Sequence, residues 1–244
     1  MQKYLILIEF YSIKLKKEMY LMIHVIRNIK RTSKEVIEKF RSISVATVYE
    51  ASGRKGFIDP KIKPIIKGIK LCGPAFTVQT VPGDNLMLHK ALEKAQEGDV
   101  IVATVGGEYD YGYWGDLMSV QAKAKKLGGL VIDGCIRDSE AIVEMGFPIF
   151  SRGLAIRGTV KASLGLINYP INFGGTVVNP GDLILGDDDG TVVVRFKDCE
   201  EVLAKSQARI QAEKIKAKAL MDGITSVKYN KLDKIFEYLE LREE

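Results

Sequence analysis

The chain has 244 residues, 46% hydrophobic and 27% charged, with 23 Gly, 7 Pro and 3 Cys. This is ordinary globular composition, and it excludes disordered, collagen-like and disulfide-scaffold classes. The net charge of +5 is unevenly placed: residues 1–41 hold 10 Lys/Arg against 4 Asp/Glu, which leaves the body of the chain close to neutral. A nucleic-acid binder is expected to carry a basic face on its folded domain, so the basic segment reads as a solvated helix or arm and no nucleic-acid partner is expected.

Near the N-terminus the longest uncharged stretch, Met19 to Ile26, has eight residues, far short of the roughly 20 that a membrane span needs. Ala162 to Gly181 is uncharged for longer, but Asn168, Pro170, Asn172, Gly174 and Gly175 give it turn chemistry. No membrane partner is expected. Tyr4 to Ile13 is apolar but interrupted by Glu9 and lacks a small-residue cleavage site, so a secretory signal is not expected. Cys72, Cys135 and Cys199 form neither a disulfide framework nor a Cys-x-x-Cys zinc site, which suits a cytoplasmic location.

Thr32-Ser33-Lys34-Glu35 resembles a capping box opening a helix to about Arg41, and a second helix runs from Ser44 to near Gly53. Ala75 to Val81 reads as a strand, Leu86 to Glu97 as a helix, and the β-branched run Val100 to Val105 as a strand covered on both faces. Asp116 to Leu127 is a helix, Leu130 to Asp133 a strand, Ser139 to Met145 a helix and Pro148 to Ser151 a strand. This alternation predicts an α/β domain. Short strands follow at Thr176 to Val178, Leu183 to Leu185 and Thr191 to Arg195, with Asp187-Asp188-Asp189-Gly190 as a hairpin turn. Asp198 to about Met221 is a long helix, and Val227 to Glu244 reads as one more amphipathic helix. A single domain over 32–223 is expected, with extensions at 1–31 and 224–244.

The chemistry concentrates in Gly112-Tyr113-Trp114-Gly115-Asp116-Leu117-Met118 and Asp133-Gly134-Cys135-Ile136-Arg137-Asp138. Gly115 and Asp116 open a helix whose free N–H groups can hold an anion. Arg137 and Asp138 follow a buried strand, where open α/β sheets place ligands. Asp138 can ligate a hard cation and Arg137 can clamp a carboxylate. The same residues also suit a plainer role, Asp116 as an N-cap and Arg137–Asp138 as a turn ion pair.

Asp116, followed after 20 residues by Arg137-Asp138, resembles the Asp-x20-Arg-Asp signature of the class II 4-hydroxy-4-methyl-2-oxoglutarate aldolases and the related regulators of ribonuclease activity. Pro82-Gly83-Asp84-Asn85, Trp114-Gly115-Asp116-Leu117, Asp133-Gly134, Asn179-Pro180-Gly181-Asp182 and Asp188-Asp189-Gly190 are similar to that family too. The resemblance implies mixed sheet layers with flanking helices, of the swivelling β/β/α type. It implies pyruvate binding by Gly115, Asp116, Leu117, Met118 and Arg137, and a Mg²⁺ or Mn²⁺ ion on Asp138, with Asp116 holding it through water. It also implies a third acid, Glu213, supplied by a neighbouring subunit in a homotrimer or a dimer of trimers.

The expected activity is metal-dependent retro-aldol cleavage of a 4-hydroxy-2-oxo acid to pyruvate, with oxaloacetate decarboxylation through the same enolate. The rival is a non-catalytic protein that binds and regulates a ribonuclease. Elsewhere the expectations are plain: His24 and Glu50 as surface or structural residues, Trp114 as a packing residue, and His89 beside the pocket without an assigned role. No Gly-x-Gly-x-x-Gly follows a strand, and there is no Walker loop or Gly-x-Ser-x-Gly elbow.

Overall fold

The computed structural model describes residues 23–244, so Tyr4 to Ile13 and most of the basic segment lie outside the described residues. Helix α1 (Lys34–Arg41) is capped by Ser33, whose hydroxyl accepts from Val36 N. This moves the cap one residue from the expected Thr32. Glu35 instead pairs with Lys39 one turn on, while Thr32 is buried with its hydroxyl against Cys199 Sγ. Ser44 caps α2 (Val45–Ala51) in the same way as Ser33.

Short β1 (Lys63–Pro64) precedes β2 (Leu71–Gln79), which starts earlier than its sequence suggests because Leu71 to Pro74 pair antiparallel with residues 183–186. Then come α3 (Leu86–Lys94), β3 (Val100–Thr104), α4 (Asp116–Ala124), β4 (Gly129–Asp133), β5 (Cys135–Ile136), α5 (Ser139–Met145), β6 (Ile149–Ser151) and β7 (Gly153–Leu154). The remaining strands are β8 (Leu166–Ile167), β9 (Ile171–Phe173), β10 (Thr176–Val178), β11 (Leu183–Asp187) and β12 (Gly190–Val194). The main sheet has the order β1-β6-β4-β3-β2-β11-β12, with β8 also pairing β2. Its β2, β3, β4 and β6 run parallel, as continuous apolar strands such as Val100 to Ala103 predict.

Three layers result. Met87, Leu88, Leu92, Met118, Ala122 and Ile142 bring α3, α4 and α5 onto one face of the sheet. The small β9–β10 sheet covers the other through Ile171, Phe173 and Val178, against Val100, Val102 and Val131. This is the expected β/β/α layering. Helices α1, α2 and α6 (Cys199–Met221) pack over the β11–β12 hairpin through Phe40, Val48 and Leu203. The Asp-rich turn of that hairpin is structural: Asp187 accepts from Asp189 N, and Asp188 from Gly68 N.

The tail departs from expectation. In place of one helix there are two short ones, α7 (Ser226–Asn230) and α8 (Asp233–Tyr238). Lys231 in the left-handed region, φ 56°, ends the first. At the other terminus, residues 24–26 lie along β8, with Ile167 N donating to His24 O and Ile26 N to Ile167 O. Arg31 then grips the buried Asp99 with two hydrogen bonds, 2.7 and 2.9 Å. Among the described residues no helix is long and apolar enough to cross a membrane.

Candidate functional site

Loops from the C-terminal ends of parallel strands meet over one cleft, as open α/β sheets favour. Asn85 and His89 arrive from the loop and helix after β2, and residues 112–118 from the connection after β3. Arg137 and Asp138 follow β4 and β5. Gly158, Thr159 and Lys161 form a further wall, and the cleft between these segments holds about 230 Å³.

Buried aromatics fix the 112–118 loop. Tyr113 is fully buried; its hydroxyl accepts from Gly83 N at 2.9 Å and donates to Glu108 O at 2.6 Å. Burial pushes its pKa up, with the Gly83 amide opposing. Trp114 is equally buried, stacked on Phe147, and donates from Nε1 to Ser119 Oγ at 2.8 Å. It packs, as expected. Arg137 N donates to Trp114 O, tying the Arg-Asp loop to the same frame.

Six of the seven expected site residues therefore come together: Gly115, Asp116, Leu117, Met118, Arg137 and Asp138 all line the cleft. Arg137 Nε lies 3.5 Å from Asp138 Oδ2, with both side chains partly open to solvent. Asp116 N approaches that same Oδ2 at 3.4 Å. Asp138 itself sits in the left-handed region, φ 57°, ψ 38°, a conformation that Asp tolerates better than most side chains. Asp116 Oδ1 accepts from Leu117 N at 2.7 Å, so one oxygen of this carboxylate serves its own helix start. The N-cap of α4 is Gly115, without a side-chain cap bond, so Asp116 is the first helical residue rather than the expected cap.

Glu213 is elsewhere. It lies on the half-exposed far part of α6, paired with Arg209 at 2.8 Å, and does not line the cleft of its own chain. Glu50 also lies apart, beside Arg54 and Arg209 on a separate groove between α2 and α6. His24 is structural, with Nδ1 3.0 Å from Gly165 O.

Sequence reasoning missed Lys161 and gave Asn85 no role beyond its motif. Asn85 is almost fully buried; its Nδ2 donates to Tyr113 O at 2.9 Å while its Oδ1 has no hydrogen-bond partner. His89 Nε2 is buried and unpartnered as well. Burial first, and the charge of Lys161 second, hold the His89 pKa below its usual value. The wall bearing Lys161 is pinned by Asp84, whose Oδ2 accepts from Ala162 N and Ser163 N at 2.7 and 2.8 Å. The only sequence signal for this was the Pro82-Gly83-Asp84-Asn85 run itself.

The model of the RraA-like family, described as Aldolase/RraA, matches residues 44–193. A Halalkalibacterium halodurans protein named as a candidate 4-hydroxy-4-methyl-2-oxoglutarate aldolase is 36% identical over 194 residues, covering 80% of this chain and 92% of that one. Methanocaldococcus jannaschii has a protein of unassigned role that is 37% identical over 148 residues, 60% of this chain and 71% of its own. Among solved structures, Streptomyces coelicolor RraAS2, described as an unusual member of the RNase ES inhibitor RraA family, superposes with a TM-score of 0.71 at 29% identity, over 78% of this chain and 99% of that one. By sequence and by fold, the chain belongs to the RraA-like, or Aldolase/RraA, family.

Proposed function

We propose that this protein is a divalent-metal-dependent lyase that cleaves a 4-hydroxy-2-oxo acid to pyruvate and also decarboxylates oxaloacetate. The observation that carries this reading is the convergence of Arg137, Asp138, Asp116 and the first turn of α4 on one small cleft. A cation clamp, two carboxylates and helix-start amides in one cleft match a short, doubly oxygenated anion better than an extended or apolar ligand.

The donor chemistry fits a hard cation. Asp138 and Asp116 offer oxygen only, and among the described residues no cluster of three His, Cys, Asp or Glu forms within one chain. Such a set suits Mg²⁺ or Mn²⁺, which keeps most of its shell as water or substrate. Asp138 would hold the ion directly and Asp116 through water, with Glu213 of a neighbouring subunit as the third acid. When bound, the ion supplies Lewis-acid polarisation of the 2-oxo group.

The chain's own groups do the rest. The Met118 amide in the first turn of α4, whose neighbour Leu117 N is held by Asp116, orients the substrate carboxylate. The Arg137 guanidinium would meet the negative charge that develops on the 2-oxo oxygen as the carbon–carbon bond breaks, and a donor placed in advance lowers that barrier. In oxaloacetate the same bond electrons are released with loss of CO₂, so Arg137 serves both reactions.

The rival, a regulator that binds a ribonuclease, draws on the naming of the Streptomyces relative. Pyruvate release from a 4-hydroxy-2-oxo acid, measured with Mg²⁺ and with chelator, separates the two. Chelator-sensitive turnover is expected; no turnover under any metal condition would favour the regulator.

A further inference from the structure

Asn85 and His89 stand one helical turn apart, Asn85 at the start of α3 and His89 within it, and both line the cleft. Each buries a polar atom that finds no partner, Asn85 Oδ1 and His89 Nε2. Buried polar groups in folded proteins are nearly always paired, so two adjacent exceptions in a cleft point to donors that a ligand brings. The Asn85 amide cannot simply turn over, because its Nδ2 is committed to the Tyr113 carbonyl. The uncommitted atom of this residue is an acceptor.

The surroundings are held in place. Asn85 N donates to Val160 O, and Val160 N to Gly83 O, so the 158–163 wall is laced to the start of α3. Asp84 reinforces the lacing through Ala162 and Ser163. Asn85 Nδ2 also lies 3.8 Å from Met118 Sδ, which sets this pair beside the first turn of α4, where the substrate carboxylate is proposed to sit.

We infer that His89 is the general base of the retro-aldol step, taking the proton of the substrate's 4-hydroxyl on Nε2. The inference rests on the lyase reading above. The hydroxyl O–H bond breaks and its proton passes to Nε2. The oxygen's electron pair becomes the new carbonyl at C4 as the C3–C4 bond breaks. The electrons of that bond form the C2–C3 double bond of the pyruvate enolate, with negative charge on the C2 oxygen facing Arg137. Water then protonates C3, and His89 returns its proton to solvent. Asn85 Oδ1 accepts from a water that accompanies the hydroxyl into this end of the cleft. Burial and the nearby Lys161 charge hold the His89 pKa below its usual value, which favours the neutral form a base requires.

Oxaloacetate carries no 4-hydroxyl, and its decarboxylation needs no such base. The two substrates therefore separate the role of His89 from that of the rest of the site. His89→Ala is expected to lower cleavage of a 4-hydroxy-2-oxo acid by about 10²–10⁴-fold, the usual range for a lost general base, and oxaloacetate decarboxylation by far less. Added imidazole is expected to restore part of the cleavage activity and leave decarboxylation as it was. Equal losses on both substrates, or unchanged cleavage, would overturn the assignment while leaving the lyase reading intact. A wild-type protein that turns over neither substrate with Mg²⁺ or Mn²⁺ overturns both together.

Discussion

Gly115 and Asp138 meet where a side chain would begin: a Cβ on Gly115 would overlap Asp138 Oδ2. The backbone of Gly115, φ −137° and ψ −171°, is ordinary extended chain that any residue can adopt. What requires glycine here is the close approach of the carboxylate.

It follows that Gly115→Ala should leave the fold intact and displace Asp138. The colliding atom is the end of a short side chain at the surface of the cleft, so it can swing aside at little cost in stability. Displacement by an ångström in a catalytic constellation costs about 10²-fold in rate. The expected result is a melting temperature near wild type with pyruvate release down by that factor. A variant as active as wild type would show that Asp138 does not have to stand where the cleft holds it.

Arg137 and Asp138 should fail in different ways. Arg137→Lys keeps the charge and loses the planar fork, and the loss of one such stabilising donor costs about 10²–10³-fold in kcat. Asp138→Asn keeps a side chain that tolerates the left-handed backbone while removing the anion. Its activity is expected to be lost, and no excess of Mg²⁺ or Mn²⁺ should restore it. Titration of both variants with metal distinguishes them, because Arg137→Lys should still respond to Mg²⁺ at wild-type concentrations.

The parallel core was legible because its strands are continuous apolar runs, and the helices between them carry their own stop signals, such as Gly146 after Met145. Arg137–Asp138 was legible because it follows a buried strand directly. The cap at Ser33 was misplaced by one residue because Thr32 and Ser33 offer the same hydroxyl, and only burial of Thr32 against Cys199 decides between them. The two-residue strands β5, β7 and β8 have no period to read; distant partners create them. Asn85 and His89 could be placed near the pocket, but their unpaired atoms depend on what the fold denies them. The split of the C-terminal tail turns on a lysine adopting a left-handed conformation, which composition does not announce.

Acid should loosen the wall of the cleft that Asp84 holds. Burial of Asp84 works against its ionised form, but amide donors from Leu86, Ala162 and Ser163 outweigh this, and its pKa lies below the usual carboxylate value. A carboxylate depressed in the folded state stabilises the protein above its unfolded pKa, about 4, and this contribution is lost as pH falls through the folded value. Asp84→Asn is expected to cost about 1–3 kcal/mol at neutral pH, since the amide leaves buried N–H donors poorly matched. The gap between variant and wild type should narrow as the pH falls below 4. A gap that stays constant from pH 7 to pH 3 would show that charge on Asp84 is not what holds residues 162–163.

The remaining prediction concerns assembly: the active form is a homotrimer or a dimer of trimers, with the cleft at a subunit boundary. Among the described residues, one chain supplies only Asp116 and Asp138 as acids around the cleft, while Glu213 is held by Arg209 on another part of the surface. The cleft is bordered by apolar side chains that a lone chain leaves in water, with Leu117 77% exposed and Val160 61% exposed. Ile156, two residues from Gly158, is 96% exposed. Exposed apolar surface grouped in this way marks an interaction site. Helix α6 buries Val202, Leu203 and Ser206 near its start; its far half meets α7 through Lys216 and Asn230 but leaves Ile215 and Met221 exposed to meet another copy. A closed ring would let each subunit place Glu213 at the next one's cleft and cover the apolar border in the same contact. Sedimentation at micromolar concentration should give three or six times the 27.1 kDa of one chain. Glu213→Ala should weaken metal binding by about 10–100-fold, the usual effect of losing an outer-sphere partner. A fully active monomer would end the proposal, and unchanged metal affinity in Glu213→Ala within an intact trimer would move the third acid to another residue.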